Sequence, residues 1–111
     1  MIYTKEPIDI KTDVEKILDV NNLKKKSQER NLVMYRNLYF KLCRKFTTFS
    51  LSKIGNEVKR DHSTVIYGSR KYDDLLQYFP KVAKAEKMLI TQYHKEAINN
   101  IEINDASIEI I

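Results

Sequence analysis

Apolar residues recur every three or four positions along most of this chain, which predicts amphipathic helices rather than strands. The longest such pattern runs from about Glu29 to Thr47. Its apolar face consists of Leu32, Tyr35, Tyr39, Leu42, Cys43 and Phe46. Its remaining positions are largely basic, with Arg30, Arg36, Lys41, Arg44 and Lys45. We therefore predict a long helix whose apolar face packs into a core and whose basic positions face solvent.

The two ends of the chain have weaker patterns. Residues 1–11 show no clear period, which predicts a mobile or loosely docked arm. Thr12 can cap a short helix that carries Val14, Ile17 and Leu18, and residues 19–23 then form a turn. Near the other end, Pro80 suits the first turn of a last helix. The apolar face of that helix consists of Val82, Ala85, Leu89 and Tyr93.

Residues 99–111 alternate isoleucine with polar residues. This pattern favours a disordered end, with a short strand or a partner-binding tail as the alternatives. The expected organisation is an arm (1–11), a helical domain (12–96) and a tail (97–111).

Between the long helix and the last one, the pattern predicts two short helices joined by a tight basic turn. Ser50 is a good N-cap for a helix with Leu51, Ile54 and Val58 on one face. That helix ends near Lys59 and Arg60. Gly55 would let it cross its neighbour closely.

Asp61 can cap the second of these short helices, because its carboxylate can accept the free backbone N–H groups that follow it. A stripe predicted to be buried recurs along this helix at Val65, Ser69, Tyr72 and Leu76. The opposite side carries His62, Ser63, Tyr67, Arg70 and Lys71. This arrangement predicts a helix-turn-helix whose second helix presents a polar, basic face.

Composition is consistent with one small helical domain. The 111 residues include 42% hydrophobic residues but only two glycines and two prolines, so we predict an all-α fold, a compact bundle of about five to six helices. One cysteine predicts neither a disulfide framework nor a metal site. Apolar runs are too short for a membrane span and no signal peptide is apparent, so we expect a cytoplasmic protein.

Basic charge is concentrated in the middle of the chain. The whole sequence has a net charge of +5, but residues 24–71 contain thirteen lysines and arginines and only three acidic residues. Residues 97–111 contain three acidic residues and no basic one. Such a distribution indicates a polyanion partner, although a lysine-rich helix can also simply be a solvated face.

Catalytic chemistry finds little support. Glycine occurs only at positions 55 and 68, so these residues contain no G-x-x-x-x-G-K phosphate loop. His62 and His94 have no convincing catalytic partners. We predict that the chain is not an enzyme and needs no cofactor, metal or nucleotide.

One stretch resembles a known family more specifically. Ser50-Leu51-Ser52-Lys53-Ile54-Gly55, followed by Arg60-Asp61-His62-Ser63-Thr64-Val65 and Arg70-Lys71, is similar to the signature S-L-x-x-I-G, R-D-H-[ST]-T-V and R-K. This signature characterises the C-terminal DNA-binding domain (domain IV) of DnaA, the bacterial replication initiator. A looser likeness extends from about Val14 to about Tyr93. The resemblance implies a helix-turn-helix bundle of the DnaA domain IV or Trp-repressor-like type.

The resemblance also implies roles for residues. In the family, the positions that match Asp61, His62 and Ser63 read the major groove of an asymmetric box of the TTATNCACA type, and the position of Thr64 contacts phosphate. Ser63 replaces the commoner threonine and lacks its methyl group. From their places around the turn and second helix, phosphate contacts are expected for Ser50, Lys53, Arg60, Arg70 and Lys71. Tyr67 is a further candidate for DNA contact. Tyr35, Tyr39, Tyr72 and Tyr93 are expected to be core or boundary residues rather than platforms for base stacking.

The family also inserts a basic residue into the minor groove from the loop before its long helix. The matching stretch is residues 26–30, which leaves Lys26 or Arg30 as candidates. A narrow, AT-rich minor groove attracts arginine electrostatically, which favours Arg30.

We therefore interpret the sequence as that of a small protein that binds double-stranded DNA at DnaA-box-like sites, as a monomer at each site. Its expected role is control of replication initiation or of transcription, without ATPase activity. The alternative is a phage or mobile-element structural protein with nonspecific nucleic-acid binding, in which the tail (97–111) contacts a protein partner.

Overall fold

The computed structural model describes residues 5–24 and 29–109, with side chains described up to residue 100. Within these ranges the chain forms five α-helices, one short 3-10 helix and no strand. The helices are α1 (Pro7–Ile17), α2 (Arg30–Phe46), α3 (Leu51–Asn56), α4 (His62–Leu75) and α5 (Pro80–Glu109), with the 3-10 helix at Leu76–Tyr78. The predicted all-α fold is confirmed.

Helix α2 is the central element, since each of the other α-helices contacts it. Its apolar face is buried as predicted, except that Tyr35 is only half-buried. The buried surface of α2 is also wider than the sequence pattern indicated. Arg36, which we expected on the solvent side, has only 4% of its surface exposed, and Asn37 is buried beside it. The expectation for Arg36 was wrong: Arg36 lies near Arg60 of the turn between α3 and α4, and its neighbour Asn37 packs against α4, where a Cβ on Gly68 would overlap the Asn37 side chain.

A buried carboxylate ties three helices together. The Tyr72 hydroxyl on α4 donates a 2.7 Å hydrogen bond to Glu86 on α5, and the Lys41 ammonium on α2 donates one of 2.9 Å to the same carboxylate. Lys41 also donates to Asp73 at 2.7 Å. Burial, and then the hydrogen bond to Glu86, raises the pKa of Tyr72. Because a buried charge is costly unless it is paired, this network fixes α4 relative to α2 and α5.

Helix α1 begins earlier than predicted. Pro7 occupies its first turn, the backbone N–H of Glu6 donates to the Asp9 carboxylate at 2.9 Å, and Ile10 is fully buried. Thr12 lies inside the helix, where its hydroxyl donates to the carbonyl of Ile8. The predicted arm over residues 1–11 and the cap at Thr12 are therefore wrong from Pro7 onward. The proline and the single apolar contact at Ile10 were too short a pattern to reveal the first turn.

Helix α5 begins at Pro80 as predicted and buries Val82, Ala85, Leu89 and Tyr93. It then continues through the segment for which disorder, or alternatively a strand, was expected, and ends at Glu109. Both expectations are wrong as far as Glu109. Extending a helix that packing has already formed needs no new nucleation, so weak local preference is enough. None of the helices that the structure describes is long and apolar enough to cross a membrane.

Candidate nucleic-acid interface

The turn between α3 and α4 is closed by backbone hydrogen bonds on Gly55. Its carbonyl accepts from the N–H of Arg60 at 2.9 Å and from the N–H of Val58 at 3.0 Å. A Cβ on Gly55 would overlap the backbone carbonyl oxygen of Arg60 and lie 3.2 Å from a methyl carbon of Val65. Glycine is therefore required here because the chain after the turn passes against it.

Helix α3 is held against α2 despite having only six residues. Ser50 caps it as predicted, with its Oγ accepting from the N–H of Lys53 at 3.1 Å. At the other end, the buried Tyr39 hydroxyl donates a 2.6 Å hydrogen bond to the carbonyl of Ile54. This bond satisfies one of the carbonyl groups that a short helix leaves unpaired. The helix-turn-helix is thus anchored to the core from its first helix.

The start of α4 combines a helix cap with an exposed polar cluster. The Oδ1 atom of Asp61 accepts from the backbone N–H of Thr64 at 2.9 Å and from its hydroxyl at 3.0 Å. His62 and Ser63 follow directly, and all four side chains are exposed. The backbone hydrogen bond from Thr64, and then its hydroxyl bond, lowers the pKa of Asp61. The predicted cap at Asp61 is confirmed, and the three side chains predicted to read bases lie together at this helix end.

The lowered pKa of Asp61 predicts a pH-dependent contribution to stability. A carboxyl whose pKa is lower in the folded state stabilises the fold above its unfolded pKa, and this contribution disappears as the pH falls through the folded pKa. We expect the wild type to be more stable than Asp61→Asn at pH 7, and the two to converge as the pH falls below about 4. Urea unfolding at several pH values measures the difference. A difference that stays constant down to about pH 2 would contradict it.

A second variant separates charge from capping. The asparagine of Asp61→Asn keeps a side-chain oxygen that can accept the N–H of Thr64, whereas the alanine of Asp61→Ala has no such acceptor. We therefore expect Asp61→Ala to be less stable than Asp61→Asn throughout the same pH series.

The outer face of α4 continues the exposed cluster. Tyr67 has 65% of its surface exposed, and the Lys71 ammonium lies 5.8 Å from the centre of its ring. Arg70 is exposed on the same helix. Toward the core, Val65 and Tyr72 are buried as predicted, whereas Ser69 and Leu76 are half-buried. The remaining buried position of α4 is Gly68, which the sequence pattern missed because glycine carries no apolar side chain.

The residues expected to contact phosphate differ in the exposure of their side chains and in the hydrogen bonds and ion pairs that these side chains form within the protein. Lys53 is exposed, and its ammonium pairs at 3.6 Å with the carboxylate of Glu57, the residue that follows α3. The Arg60 guanidinium is partly withdrawn into the turn, where it donates to the carbonyls of Val58 at 3.0 Å and Lys59 at 3.1 Å. The hydroxyls of Ser50 and Thr64 take part in the two helix caps. Lys53, Arg70 and Lys71 are therefore the most accessible cations of the predicted set.

Arg30, one of the two minor-groove candidates, does not lie beside the start of α4. The Arg30 guanidinium lies 5.0 Å from the ring centre of Phe79 and 6.0 Å from that of Tyr78, next to the segment that follows α4. With fourteen residues in α4, that segment is about 20 Å along the helix from Asp61. Lys26 lies outside the described residues.

Two arginines for which the sequence predicted no role in DNA binding lie next to the helix-turn-helix. Arg44, near the end of α2, donates a 2.7 Å hydrogen bond to the Ser69 hydroxyl on α4. Arg36 is buried close to Arg60, and burial, followed by the Arg60 charge, lowers the pKa of Arg36. Both arginines add positive charge on α2, the helix against which the helix-turn-helix packs. Their basic character was visible in the sequence, but their proximity to α4 depends on how α2 crosses it.

Comparison with known proteins identifies the motif. Residues 13–71 match the family described as the bacterial DnaA protein helix-turn-helix. The chain belongs to this family. The DnaA match covers the last five residues of α1, all of α2 and α3, and the first ten residues of α4. It therefore includes the capped turn and the exposed cluster at Asp61, His62 and Ser63. Membership identifies the chain as carrying a DNA-binding helix-turn-helix.

Three chromosomal replication initiator proteins DnaA are among the similar proteins. The one from Jannaschia sp. is 35% identical over 64 residues, or 57% of this chain. The DnaA protein from Pelobacter propionicus is 38% identical over 68 residues, or 60% of this chain. The DnaA protein from Tropheryma whipplei is 37% identical over 73 residues, or 64% of this chain. The chain spans only about 15% of the length of these DnaA relatives.

Proposed function

We propose that this protein binds double-stranded DNA in a sequence-specific manner, at sites that resemble the DnaA box. The observation that carries the proposal is the exposed cluster of Asp61, His62 and Ser63 at the start of the second helix of a DnaA-type helix-turn-helix. In helix-turn-helix proteins the first residues of this helix are the ones that meet base edges in the major groove.

The chemistry of the cluster suits base recognition. A carboxylate can accept from cytosine N4, and a serine hydroxyl can donate to or accept from a base edge. Both hydrogen bonds from Thr64 go to Oδ1 of Asp61, so helix capping is compatible with a base contact through Oδ2. The imidazole of His62 can bond to a base or contact a thymine methyl group. Ser63, without a methyl group, is expected to alter the preferred base relative to threonine.

Positive charge around the cluster would position the helix on DNA. We assign phosphate contacts to Lys53, Arg70 and Lys71, and to the hydroxyls and N–H groups at the two caps, Ser50 and Thr64. Arg60 can add to them with the part of its guanidinium that the turn leaves accessible. Tyr67 is exposed on α4 with the Lys71 ammonium near its ring, and we propose that it contacts the DNA backbone. A minor-groove contact would come from Arg30 or Lys26.

We infer that this binding needs no nucleotide, because every group invoked is a side chain or backbone N–H group of the chain itself. Occupying a DnaA box would let the protein compete with a replication initiator or regulate a neighbouring promoter. One helix-turn-helix on an asymmetric box is consistent with one monomer at each site.

Fluorescence anisotropy with a TTATNCACA-type duplex and a scrambled duplex, at about 0.15 M salt, tests the proposal. Sequence-specific proteins prefer their site over random DNA by roughly 10³-fold or more. We expect a preference of that order for the box. Equal affinity for both duplexes would reject the proposal and favour nonspecific nucleic-acid binding by a structural protein of a phage or mobile element.

A further inference from the structure

Lys59, in the turn between α3 and α4, has an unfavourable backbone conformation. Its φ angle is 56°, in the left-handed region that residues with a side chain rarely adopt, apart from asparagine and aspartate. Asp19 is the other non-glycine residue with a positive φ in the described part of the chain, and its residue type tolerates that region. Lysine at position 59 is therefore a residue that the turn itself does not favour.

Among the described residues, no hydrogen bond or ion pair of the Lys59 side chain compensates for this conformation. The side chain is exposed, and within residues 5–24 and 29–100 no group forms a hydrogen bond or an ion pair with its ammonium. Its neighbour Arg60 behaves differently, because the Arg60 guanidinium donates to the carbonyls of Val58 and Lys59 and so holds the turn closed. Of the two cations in this turn, Arg60 serves the structure and Lys59 is free to serve a ligand.

The position of Lys59 points to the class of ligand. It lies two residues before Asp61, next to the N-terminal end of α4, where His62 and Ser63 are exposed. A helix whose first residues enter the major groove brings the preceding turn close to the sugar-phosphate backbone that borders the groove. A flexible ammonium at that place is suited to contact a phosphate group as a point charge.

We propose that Lys59 is a phosphate-contacting residue of the helix-turn-helix turn, retained in a disfavoured conformation because its charge strengthens DNA binding. This inference rests on the proposed function and adds a residue to its interface. It also assigns the two basic residues of the turn different tasks: Arg60 mainly positions the turn, and Lys59 contacts the DNA.

Substitutions at position 59 can separate charge from backbone conformation. Lys59→Asn and Lys59→Gly remove the charge and accept a positive φ, so we expect both to raise the melting temperature by a few degrees. At about 0.1 M salt we expect both to bind the TTATNCACA-type duplex roughly 5- to 10-fold more weakly, with the slope of log K against log salt reduced by about one. Lys59→Arg keeps the charge and is expected to keep the affinity and the slope.

The matched control is Lys87→Gln, which removes an exposed lysine from α5 without touching the motif. It should change neither the affinity nor the salt slope. Wild-type affinity and slope in Lys59→Asn would overturn the inference, and the proposed function would still stand if His62→Ala lost the box preference in the same assay. If the wild type shows no box preference, the proposed function fails. In that case the salt dependence of binding to the scrambled duplex tests the role of Lys59. A slope of log K against log salt in Lys59→Asn equal to that of the wild type would overturn the inference.

Discussion

Replacing His62 with alanine is expected to reduce affinity for the DnaA-type box much more than affinity for a scrambled duplex. The His62 side chain is exposed one residue after the Asp61 cap, so its removal takes away the proposed base contact without opening the core. A good base-edge contact contributes about 1–3 kcal/mol of discrimination, which corresponds to a loss of roughly 5- to 150-fold in affinity for the box. Binding through phosphate contacts should persist, because that contribution does not depend on sequence.

Anisotropy titrations of both duplexes, with circular dichroism to verify folding, measure this effect. Asn99→Ala, an exposed polar substitution on α5 away from the motif, is the matched control and should bind like the wild type. An equal loss on both duplexes would show that His62 contributes charge or folding stability rather than base recognition. No loss on either duplex would remove His62 from the interface.

Replacing Gly55 with alanine is expected to destabilise the protein strongly. The added Cβ would overlap the backbone carbonyl oxygen of Arg60, which cannot rotate away as the end of a side chain could. The turn must therefore shift, which weakens the hydrogen bonds that the Gly55 carbonyl accepts from Val58 and Arg60. Overpacking of this kind typically costs about 1–3 kcal/mol and occasionally more. A rigid overlap belongs at the upper end, about 3 kcal/mol, which lowers the melting temperature of a domain this size by roughly 10–20 °C.

Thermal unfolding followed by circular dichroism tests this expectation. Asn56→Ala, at the exposed next position of α3, controls for an added alanine in the same helix and should change stability by about 0.5 kcal/mol or less. A melting temperature for Gly55→Ala within a few degrees of the wild type would show that the turn is more adaptable than its geometry indicates. Because α4 starts directly after this turn, we also expect the folded fraction of Gly55→Ala to bind the box more weakly.

Local sequence signals predicted the helix-turn-helix well. Ser50 and Asp61 were identified as N-caps from their residue types, and both accept the backbone N–H three residues later. Such caps depend only on neighbouring residues, so a single sequence is enough to recognise them. The exposed face of α4 followed equally from its helical period. Capping residues and periodicity could predict this part of the candidate site because its geometry is local.

Features that depend on contacts with residues elsewhere in the chain could not be predicted from the sequence. The basic residues of α2 could not be divided from sequence into those that face solvent and those that other helices cover. Arg36 is buried next to Arg60, and Arg44 donates to Ser69 on α4. The strained backbone of Lys59 was also invisible, since lysine is not a residue from which a positive φ is expected.

The ends of the chain illustrate the same limit. The first turn of α1 is marked by a proline and one buried isoleucine, Ile10, too few residues to establish a period. Residues 99–109 alternate apolar and polar residues in a way that local preference cannot distinguish from a strand or a disordered end, whereas the structure continues α5 through them. Helix α5 is already formed by packing through Ala97 before this segment begins.

The sequence by itself determined the helical class, the two capped helices of the motif and the polar cluster at Asp61, His62 and Ser63, because caps and helical periodicity act over three or four residues. Only the tertiary structure decided which basic residues are free to meet DNA. The burial of Arg36 and the pairing of Lys41 with Glu86 depend on contacts between elements far apart in the chain. The free energy of burying or pairing a charge is set by those contacts, and no local pattern encodes them.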